Sequence, residues 1–255
     1  MILQMMYVIT VTVTALTLGI ICLLVAPRLL RRFVPKYAEL PIGTRVEFDT
    51  RVMSVCHSTV VGLISICAAL VDHSIKPDVI RYDSFLVKLN CAIVVGYMCI
   101  DTLLLCLFWK HKGSVLFLFH HIVATWVLWT FLVYNNLPYF ANSLLIMEVA
   151  NPFMHLRWMM GRLGTSKTSL IYVVNQLTVT VIFLLFRIVN AVLYWKGTCI
   201  ILQKEEYYGL ELTTIFGHLF GGLIFHLMNI YWFWKIWKGT VKMAKIFLDV
   251  PKKLI

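Results

Sequence analysis

Several ionisable side chains lie inside the most apolar stretches of this sequence. His120 and His121 are adjacent within one such stretch, and Asp101 lies in the stretch before it. An imidazole can remove a proton from an amine or hydroxyl, or become transiently acylated, while a nearby carboxylate orients the ring and fixes its tautomer. We therefore consider His120, His121 and Asp101 candidate catalytic residues.

A second group of polar residues recurs at helical spacing. Glu148, Asn151 and His155 are three and four positions apart, and His226 precedes Asn229 by three. Positions three or four apart share one face of a helix, so the spacing predicts a polar face on each of two helices. Together with further polar residues these faces predict a pocket that contacts lipid, and its candidate residues are His57, Glu148, Asn151, His155, Arg157, Arg187, His226 and Asn229.

Each of these residues has a structural alternative. A single histidine or asparagine within a membrane commonly forms an interhelical hydrogen bond that stabilises the bundle. Carboxylates such as Asp101 and Glu148 are costlier to bury, which favours a functional role for them. Arg187 is expected in the half of the bundle away from the histidines, in a structural or headgroup-binding role.

The same composition argues against metal and nucleic-acid chemistry. The eight histidines include no His-x-x-x-His pattern, and the seven cysteines show no paired zinc-site spacing, so no metal or other cofactor is predicted. The formal charge of +11 comes from Lys and Arg confined mostly to the gaps between apolar stretches and to the tail. That distribution favours membrane orientation over nucleic-acid binding.

The elements that must position these residues are membrane-spanning helices. Of the 255 residues, 60% are hydrophobic and 14% charged, and the mean hydropathy is +0.84, whereas a soluble chain is about half apolar and a quarter charged. A stretch of about 20 apolar residues crosses a bilayer. We predict an all-α integral membrane protein with seven spans, at 2–26, 52–72, 86–108, 115–133, 138–158, 170–195 and 210–234.

The distribution of Lys and Arg predicts the orientation of these spans. The first, third and fifth gaps and the tail hold 17 of these residues, whereas the alternate gaps hold 5. Because cytoplasmic segments carry the excess of positive charge, this alternation predicts an N-terminus outside the cytosol and a C-terminus inside it. On this topology most of the candidate residues fall in the cytosolic half of the bundle.

The C-terminal residues predict a location. The chain ends Lys252-Lys253-Leu254-Ile255, which resembles the dilysine signal by which coat proteins return multi-pass proteins to the endoplasmic reticulum. Such a signal is read by a receptor on a cytosolic tail. Lys252 and Lys253 are therefore a candidate sorting signal, coat proteins are expected partners, and the expected location is the endoplasmic-reticulum membrane.

An ordered set of segments resembles the TLC domain, named for the TRAM, Lag and ceroid-lipofuscinosis protein families. The resemblance covers 40–242, after an N-terminal helix and basic loop at 1–39 and before a basic tail at 243–255. Within the superfamily the chain is most similar to the small group once called transmembrane protein 56. The matching segments are RVMSVCHSTVVG from Arg51, GYMCID ending at Asp101, the pair His120-His121, EVANPFMHLRW from Glu148, and FRIVN around Arg187.

The resemblance implies a protein of lipid metabolism or lipid homeostasis in the endoplasmic reticulum or a related membrane. The superfamily includes ceramide synthases, which join a fatty acyl-CoA to a sphingoid base and have essential histidines where His120 and His121 stand. Those enzymes carry paired aspartates further along. Here the corresponding helix has Glu148 and Asn151 but no aspartate pair, a departure that argues against ceramide synthesis.

Two functions fit these residues. The protein binds or senses an acyl lipid, with membrane lipids as its partners, and needs no catalysis to do so. Alternatively it is an acyltransferase that takes acyl-CoA as substrate and uses His120 or His121 as base or nucleophile. A cargo receptor is a further alternative, because the dilysine tail suits one.

Overall fold

The computed structural model describes residues 2–249, and the side-chain environments of 5–111 and 113–246. Lys252 and Lys253, the candidate sorting signal, lie outside the described residues. Long helices dominate the described part of the chain. In chain order they are α1 Met5–Phe33, α2 Ile42–Val71, α3 Phe85–Leu107, α4 Val115–Tyr134, α5 138–162, α6 Leu170–Ile201 and α7 Leu212–Ile246.

Six of these helices, all except α5, are long and apolar enough to cross a membrane. Their outward faces carry large hydrophobic side chains, among them Leu16, Ile122 and Val192. Helices satisfy their backbone hydrogen bonds internally, as a chain in lipid requires. The protein is therefore an all-α integral membrane protein, as predicted.

The fifth helix is less apolar and packs between α2 and α6. It consists of Pro138–Leu145, a 3₁₀ turn at Ile146–Ala150, and Asn151–Arg162. Pro152 has no N–H to donate to the Glu148 carbonyl, and the N–H of Asn151 donates to that carbonyl instead. A hydrogen bond between residues three apart thus replaces one between residues four apart, so the helix is tighter at the point where its polar residues begin.

The connections between helices meet at two opposite ends of the bundle. At the first, termed the basic end, Lys36 Nζ donates to the Leu163 carbonyl across 3.3 Å, and the helical turn Trp109–Lys112 packs against the start of α2. The basic end therefore gathers the connections 34–41, 108–114 and 163–169.

The remaining connections meet at the other end, termed the opposite end. There the N–H of Leu137 donates to the Ile80 carbonyl at 2.7 Å, and Lys204 Nζ donates to the Asp78 carbonyl at 2.6 Å. Helix α5 starts directly after Leu137 and ends directly before Leu163. It therefore runs from the opposite end to the basic end, through the length of the bundle.

Four helices extend at least six residues beyond the predicted spans. Helix α1 continues to Phe33 rather than stopping at 26, α2 begins at Ile42 rather than at 52, α6 continues to Ile201 rather than stopping at 195, and α7 continues to Ile246 rather than stopping at 234. Polar and charged residues at these ends lower the local hydropathy without breaking the helix, because few of them are helix-terminating. Cys199, which follows the predicted span 170–195, consequently lies on α6.

Helices α4 and α7 approach most closely near the opposite end. Gly217 and Gly221, one turn apart on α7, face Val127 of α4. A side chain at Gly221 would place its Cβ 2.5 Å from Cγ2 of Val127, so the approach needs glycine there. The turn Gly217–Gly221 is also π-helical, as is Leu184–Val189 on α6.

Candidate functional site

A cavity of about 660 Å³ lies inside the bundle, lined by residues of α2 to α7. Small-molecule sites typically enclose about 300 to 1,000 Å³. The structure does not bring His57 or His226 to this cavity. It does bring there the other predicted catalytic and lipid-contacting residues, which are Asp101, His120, His121, Glu148, Asn151, His155, Arg157, Arg187 and Asn229.

His121 of α4 forms a pair with Asp101 of α3. Its Nε2 lies 3.5 Å from Asp101 Oδ2, and its Nδ1 lies 3.2 Å from Thr102 Oγ1. When Nε2–H of the neutral ring donates to the carboxylate, Nδ1 is the acceptor and the Thr102 hydroxyl donates to it. The two contacts fix the ring's tautomer and orientation at the cavity wall.

Tyr97 connects this pair to α2. Its hydroxyl donates to Asp101 Oδ2 at 3.2 Å and lies 2.9 Å from Ser54 Oγ. Its ring stacks on that of His57, with centroids 3.8 Å apart, and Nε2 of His57 lies 4.0 Å from Glu148 Oε2. His57 thus supports Tyr97, which lines the cavity, without lining it itself.

His120 contacts α7, whereas His121 contacts α3. The ring of His120 meets those of Phe225 and Trp232 edge-on, and its centroid lies 5.4 and 5.9 Å from theirs. Consecutive residues point about 100° apart on a helix, so the two histidines face different neighbours while both line the cavity. Nδ1 of His120 is buried and has no hydrogen-bond partner among the described residues. The hydrogen-bonding capacity of this nitrogen is therefore not satisfied within the described bundle.

Arg187 joins three helices at the cavity wall. Its Nε donates to the Met147 carbonyl at 3.1 Å, Nη1 to Asn229 Oδ1 at 2.7 Å, and Nη2 to Asn151 Oδ1 at 2.8 Å. The sequence predicts Arg187 in the half of the bundle away from the histidines, whereas the structure places it beside Asn151 and Asn229. Since α6 and α7 are both longer than predicted, Arg187 and Asn229 lie near the middle of their helices and meet. Arg187 also lies in the π-helical turn, a distortion frequent at functional sites.

Glu148 is linked to Arg187 through an amide. Nδ2 of Asn151 donates to Glu148 Oε2 at 2.6 Å, while Oδ1 of the same amide accepts from Arg187. The asparagine therefore bridges a buried cation and a carboxylate of opposite charge. A buried charge is tolerated when it is paired and hydrogen-bonded, and this chain of contacts provides both.

The part of the cavity toward the basic end carries several cationic side chains. Nη1 of Arg51 lies 3.0 Å from His155 Nδ1, and its guanidinium lies 4.1 Å from the Trp158 ring centroid. Arg157 and Lys235 also line this part. These five residues, from α2, α5 and α7, are termed the basic mouth.

The inner part of the cavity is apolar. Helix α4 lines the cavity from Phe117 to Leu128, a distance of about 16 Å at 1.5 Å per residue. The cavity thus changes from basic to polar to apolar along its length, as the two ends of an amphiphile would require. The apolar lining residues include Val94, Met98, Leu128, Leu144 and Leu145.

His226 contacts aromatic side chains instead of the cavity. Trp195 Nε1 donates to His226 Nδ1 at 3.1 Å, and the Tyr194 ring lies edge-on with centroids 4.8 Å apart. The part of α7 that carries His226 is thus covered by aromatic residues of α6. We interpret His226 as part of the α6–α7 contact.

His218, also on α7, is fully buried in a hydrogen-bonded cluster. Thr198 Oγ1 donates to the Tyr194 carbonyl, so at 3.1 Å it accepts from Nε2–H of His218. Nδ1 is then the acceptor for the Tyr207 hydroxyl at 2.8 Å. Burial raises the pKa of Tyr207 to about 12, which keeps this donor protonated. The cluster ties the connection before α7 to the bundle.

The described residues do not form a metal centre. No group of three or more His, Cys, Asp or Glu in the described part of the chain is arranged to hold an ion. The ionisable groups at the cavity instead form pairs, such as His121 with Asp101 and Arg51 with His155. Such pairs suit ligand contact or proton transfer.

The cavity residues that the sequence does not predict include Arg51, Tyr97, Trp158 and Lys235. Arg51 and Lys235 were assigned to a gap and to the tail, because the apolar stretches stop there while the helices continue. Tyr97 precedes Asp101 by four residues, a spacing that places both on one helical face. That spacing could have identified Tyr97 as a site residue, whereas no pattern in the sequence identifies Trp158.

These features define a multi-pass α-helical membrane protein with a polar, histidine-containing cavity inside its bundle. The TLC domain matches residues 47–238, and the chain belongs to the TLC domain family, which confirms the resemblance seen in the sequence. The chain is 32% identical over 219 residues to TLC domain-containing protein 4-B of Danio rerio, covering 86% of this chain and 83% of that protein. It is 29% identical over 209 residues to TLC domain-containing protein 4 of Homo sapiens, covering 82% and 80%. No solved structure matches the chain.

Proposed function

We propose that this protein binds an acyl lipid in the cavity and acts in membrane lipid homeostasis. The change in lining from apolar residues such as Leu128, past Arg187, to the basic mouth carries the proposal. An apolar chain matches the inner part, and a polar headgroup matches the rest. Membrane lipids are the proposed ligands.

The proposal includes a topology and a location. We propose that α5 is the fifth of seven spans and that the basic end faces the cytosol. The contacts that place the two ends of α5 at opposite ends of the bundle support the first point. The excess of Lys and Arg at the basic end supports the second. Lys252 and Lys253 support a location in the endoplasmic reticulum.

The pair His121–Asp101, together with the unpartnered Nδ1 of His120, favours a second candidate, acyl transfer from acyl-CoA. In that reaction a histidine takes the proton of an acceptor hydroxyl or amine as its oxygen or nitrogen bonds to the thioester carbonyl carbon. The carbon–sulfur bond breaks, and the departing CoA thiolate takes the proton from the imidazolium. Asp101 would hold the ring of His121 and stabilise its charge.

The first experiment identifies what the cavity holds. The protein is purified in mild detergent, and co-purifying lipids and acyl-CoA are identified by mass spectrometry. The native chain is compared with a His120→Ala, His121→Ala variant and with His73→Ala, an exposed histidine at the opposite end. Lipid binding predicts a stoichiometric acyl lipid in the native chain and in His73→Ala.

The variants separate the two candidates. Acyl lipid bound equally by native and double-variant protein leaves a binding role and makes the histidines structural. An acyl adduct on histidine, or acyl-CoA turnover, that the double variant lacks makes acyl transfer the function. Native protein that carries no acyl lipid, and takes up none when it is added, contradicts both.

A further inference from the structure

The basic mouth has more positive charge than nearby carboxylates offset. Arg51, Arg157 and Lys235 come from three different helices and all line the cavity. Among the lining residues, Glu47 is the carboxylate with a contact to this group, 3.9 Å from Arg51. Within the described chain neither Arg157 nor Lys235 has an ion-pair partner. An anion would compensate this charge.

Arg51 has hydrogen-bonding capacity left over. Its guanidinium is held between His155 and Trp158, and its Nε is buried with no partner among the described residues. A buried donor without an acceptor is unfavourable, because it has lost its hydrogen bonds to water. Arg51 lines the cavity, so an oxygen of a bound ligand could accept from the N–H groups of the guanidinium that face the cavity.

Membrane orientation alone explains other basic residues at this end, but it does not explain Arg51 and Arg157. Arg31 and Arg32 follow from the excess of positive charge on cytoplasmic segments, since both are exposed and neither lines the cavity. Arg51 and Arg157 are only partly exposed and line the cavity. Their side chains therefore face the cavity, where a ligand would lie, rather than bulk water.

We propose that Arg51, Arg157 and Lys235 form a subsite for a phosphate-bearing headgroup, with the acyl chain directed toward Leu128. Guanidinium groups bind phosphate oxygens in a bidentate fork, and lysine adds a point charge. The inference rests on the proposed lipid binding and narrows it to anionic acyl ligands. A phospholipid and an acyl-CoA both supply such phosphates.

The test compares three probes with the same hexadecanoyl chain: a lysophosphatidate, an acyl-CoA and an uncharged monoacylglycerol. Affinities are measured in detergent for the native chain, for Arg51→Gln with Arg157→Gln, and for Arg31→Gln with Arg32→Gln as a control of equal charge change. We expect at least one phosphate probe to bind about tenfold or more tightly than the neutral probe, since charge-assisted bonds are the strong ones. The variant with Arg51→Gln and Arg157→Gln, termed the cavity variant, should lose this preference for a phosphate probe. The control variant should keep it.

The outcomes distinguish this inference from the proposed function. Preference for lysophosphatidate or for acyl-CoA supports the subsite and names the source of the phosphate. Equal affinity for all three probes, unchanged in the cavity variant, overturns the subsite and leaves lipid binding intact. Absence of binding by any probe overturns both.

The subsite can still be tested if the variant with Arg51→Gln and Arg157→Gln does not fold. Size-exclusion profiles identify such a defect, and Lys235→Gln, an exposed side chain, then replaces it. Salt is the second measurement: screening weakens the phosphate probes and spares the neutral one when charge drives binding. Salt-independent affinity, with no effect of Lys235→Gln, overturns the subsite.

Discussion

Arg187 makes the polar centre of the cavity a structural element as well as a candidate contact. Each of its three guanidinium nitrogens donates a hydrogen bond, to acceptors from α5 and α7. Replacing Arg187 with glutamine leaves at least one of the buried acceptors unpaired. We expect about 2 kcal/mol or more of destabilisation, since single bonds within membrane bundles contribute about 0.6 to 2 kcal/mol.

Thermal unfolding in detergent checks this expectation against Arg32→Gln, an exposed arginine on α1. The control should change stability by less than about 0.5 kcal/mol, as most surface substitutions do. Equal effects of the two substitutions would show that the Arg187 contacts contribute little.

Tyr97→Phe isolates the hydroxyl that joins α2 to the His121–Asp101 pair. Phenylalanine keeps the ring that stacks on His57 and removes the donor to Asp101. We expect a loss of about 1 to 2 kcal/mol in stability, because the buried carboxylate loses a hydrogen bond. Tyr208→Phe is the matched control, since that hydroxyl donates to the Leu202 carbonyl from an exposed side chain. Equal losses in the two variants would contradict the expectation.

At the scale of the helices, the α4–α7 contact depends on the absence of a side chain at Gly221. A Cβ there would lie 2.5 Å from Val127, whereas one at Gly161 of α5 would meet nothing within 4 Å. Gly221→Ala should destabilise the bundle by about 1 to 3 kcal/mol through overpacking, while Gly161→Ala should be neutral or slightly stabilising. Thermal unfolding of both variants is the measurement.

A compensating substitution tests the cause. Val127→Ala in the Gly221→Ala background removes the methyl groups that the new Cβ would meet. The double variant should be more stable than the sum of the single effects, by about 0.5 kcal/mol or more. Strict additivity would place the effect of Gly221→Ala elsewhere in the helix.

The sequence predicted helices better than it predicted where they end. Hydropathy located the apolar centres, but it does not register a helix that continues past Arg51 or Lys235. Helical spacing predicts that Glu148 and Asn151 share a face, and both line the cavity. It could not show that α6 aromatic residues cover His226, because that contact depends on how two helices pack.

For the whole molecule, the position of α5 decides the topology. A helix that carries Glu148, Asn151 and His155 would be costly in lipid, and here α2 and α6 pack against it. Its low hydropathy therefore does not prevent a crossing. The two ends of α5 meet different sets of connections, which favours seven passes over six.

Glycosylation at inserted acceptor sites tests this topology, because the enzyme acts only in the lumen. The native sequence contains no Asn-x-Ser/Thr acceptor, so any modification reports the insertion. We expect an acceptor placed in 72–84 or in 202–211 to be modified, and one placed in 163–169 to remain unmodified. If α5 does not cross the membrane, 163–169 lies in the lumen together with the connection before α5. An acceptor placed in 72–84 and one placed in 163–169 would then both be modified. That result would leave six spans and would contradict the contact between Lys36 and Leu163, which places 34–41 and 163–169 at the same end.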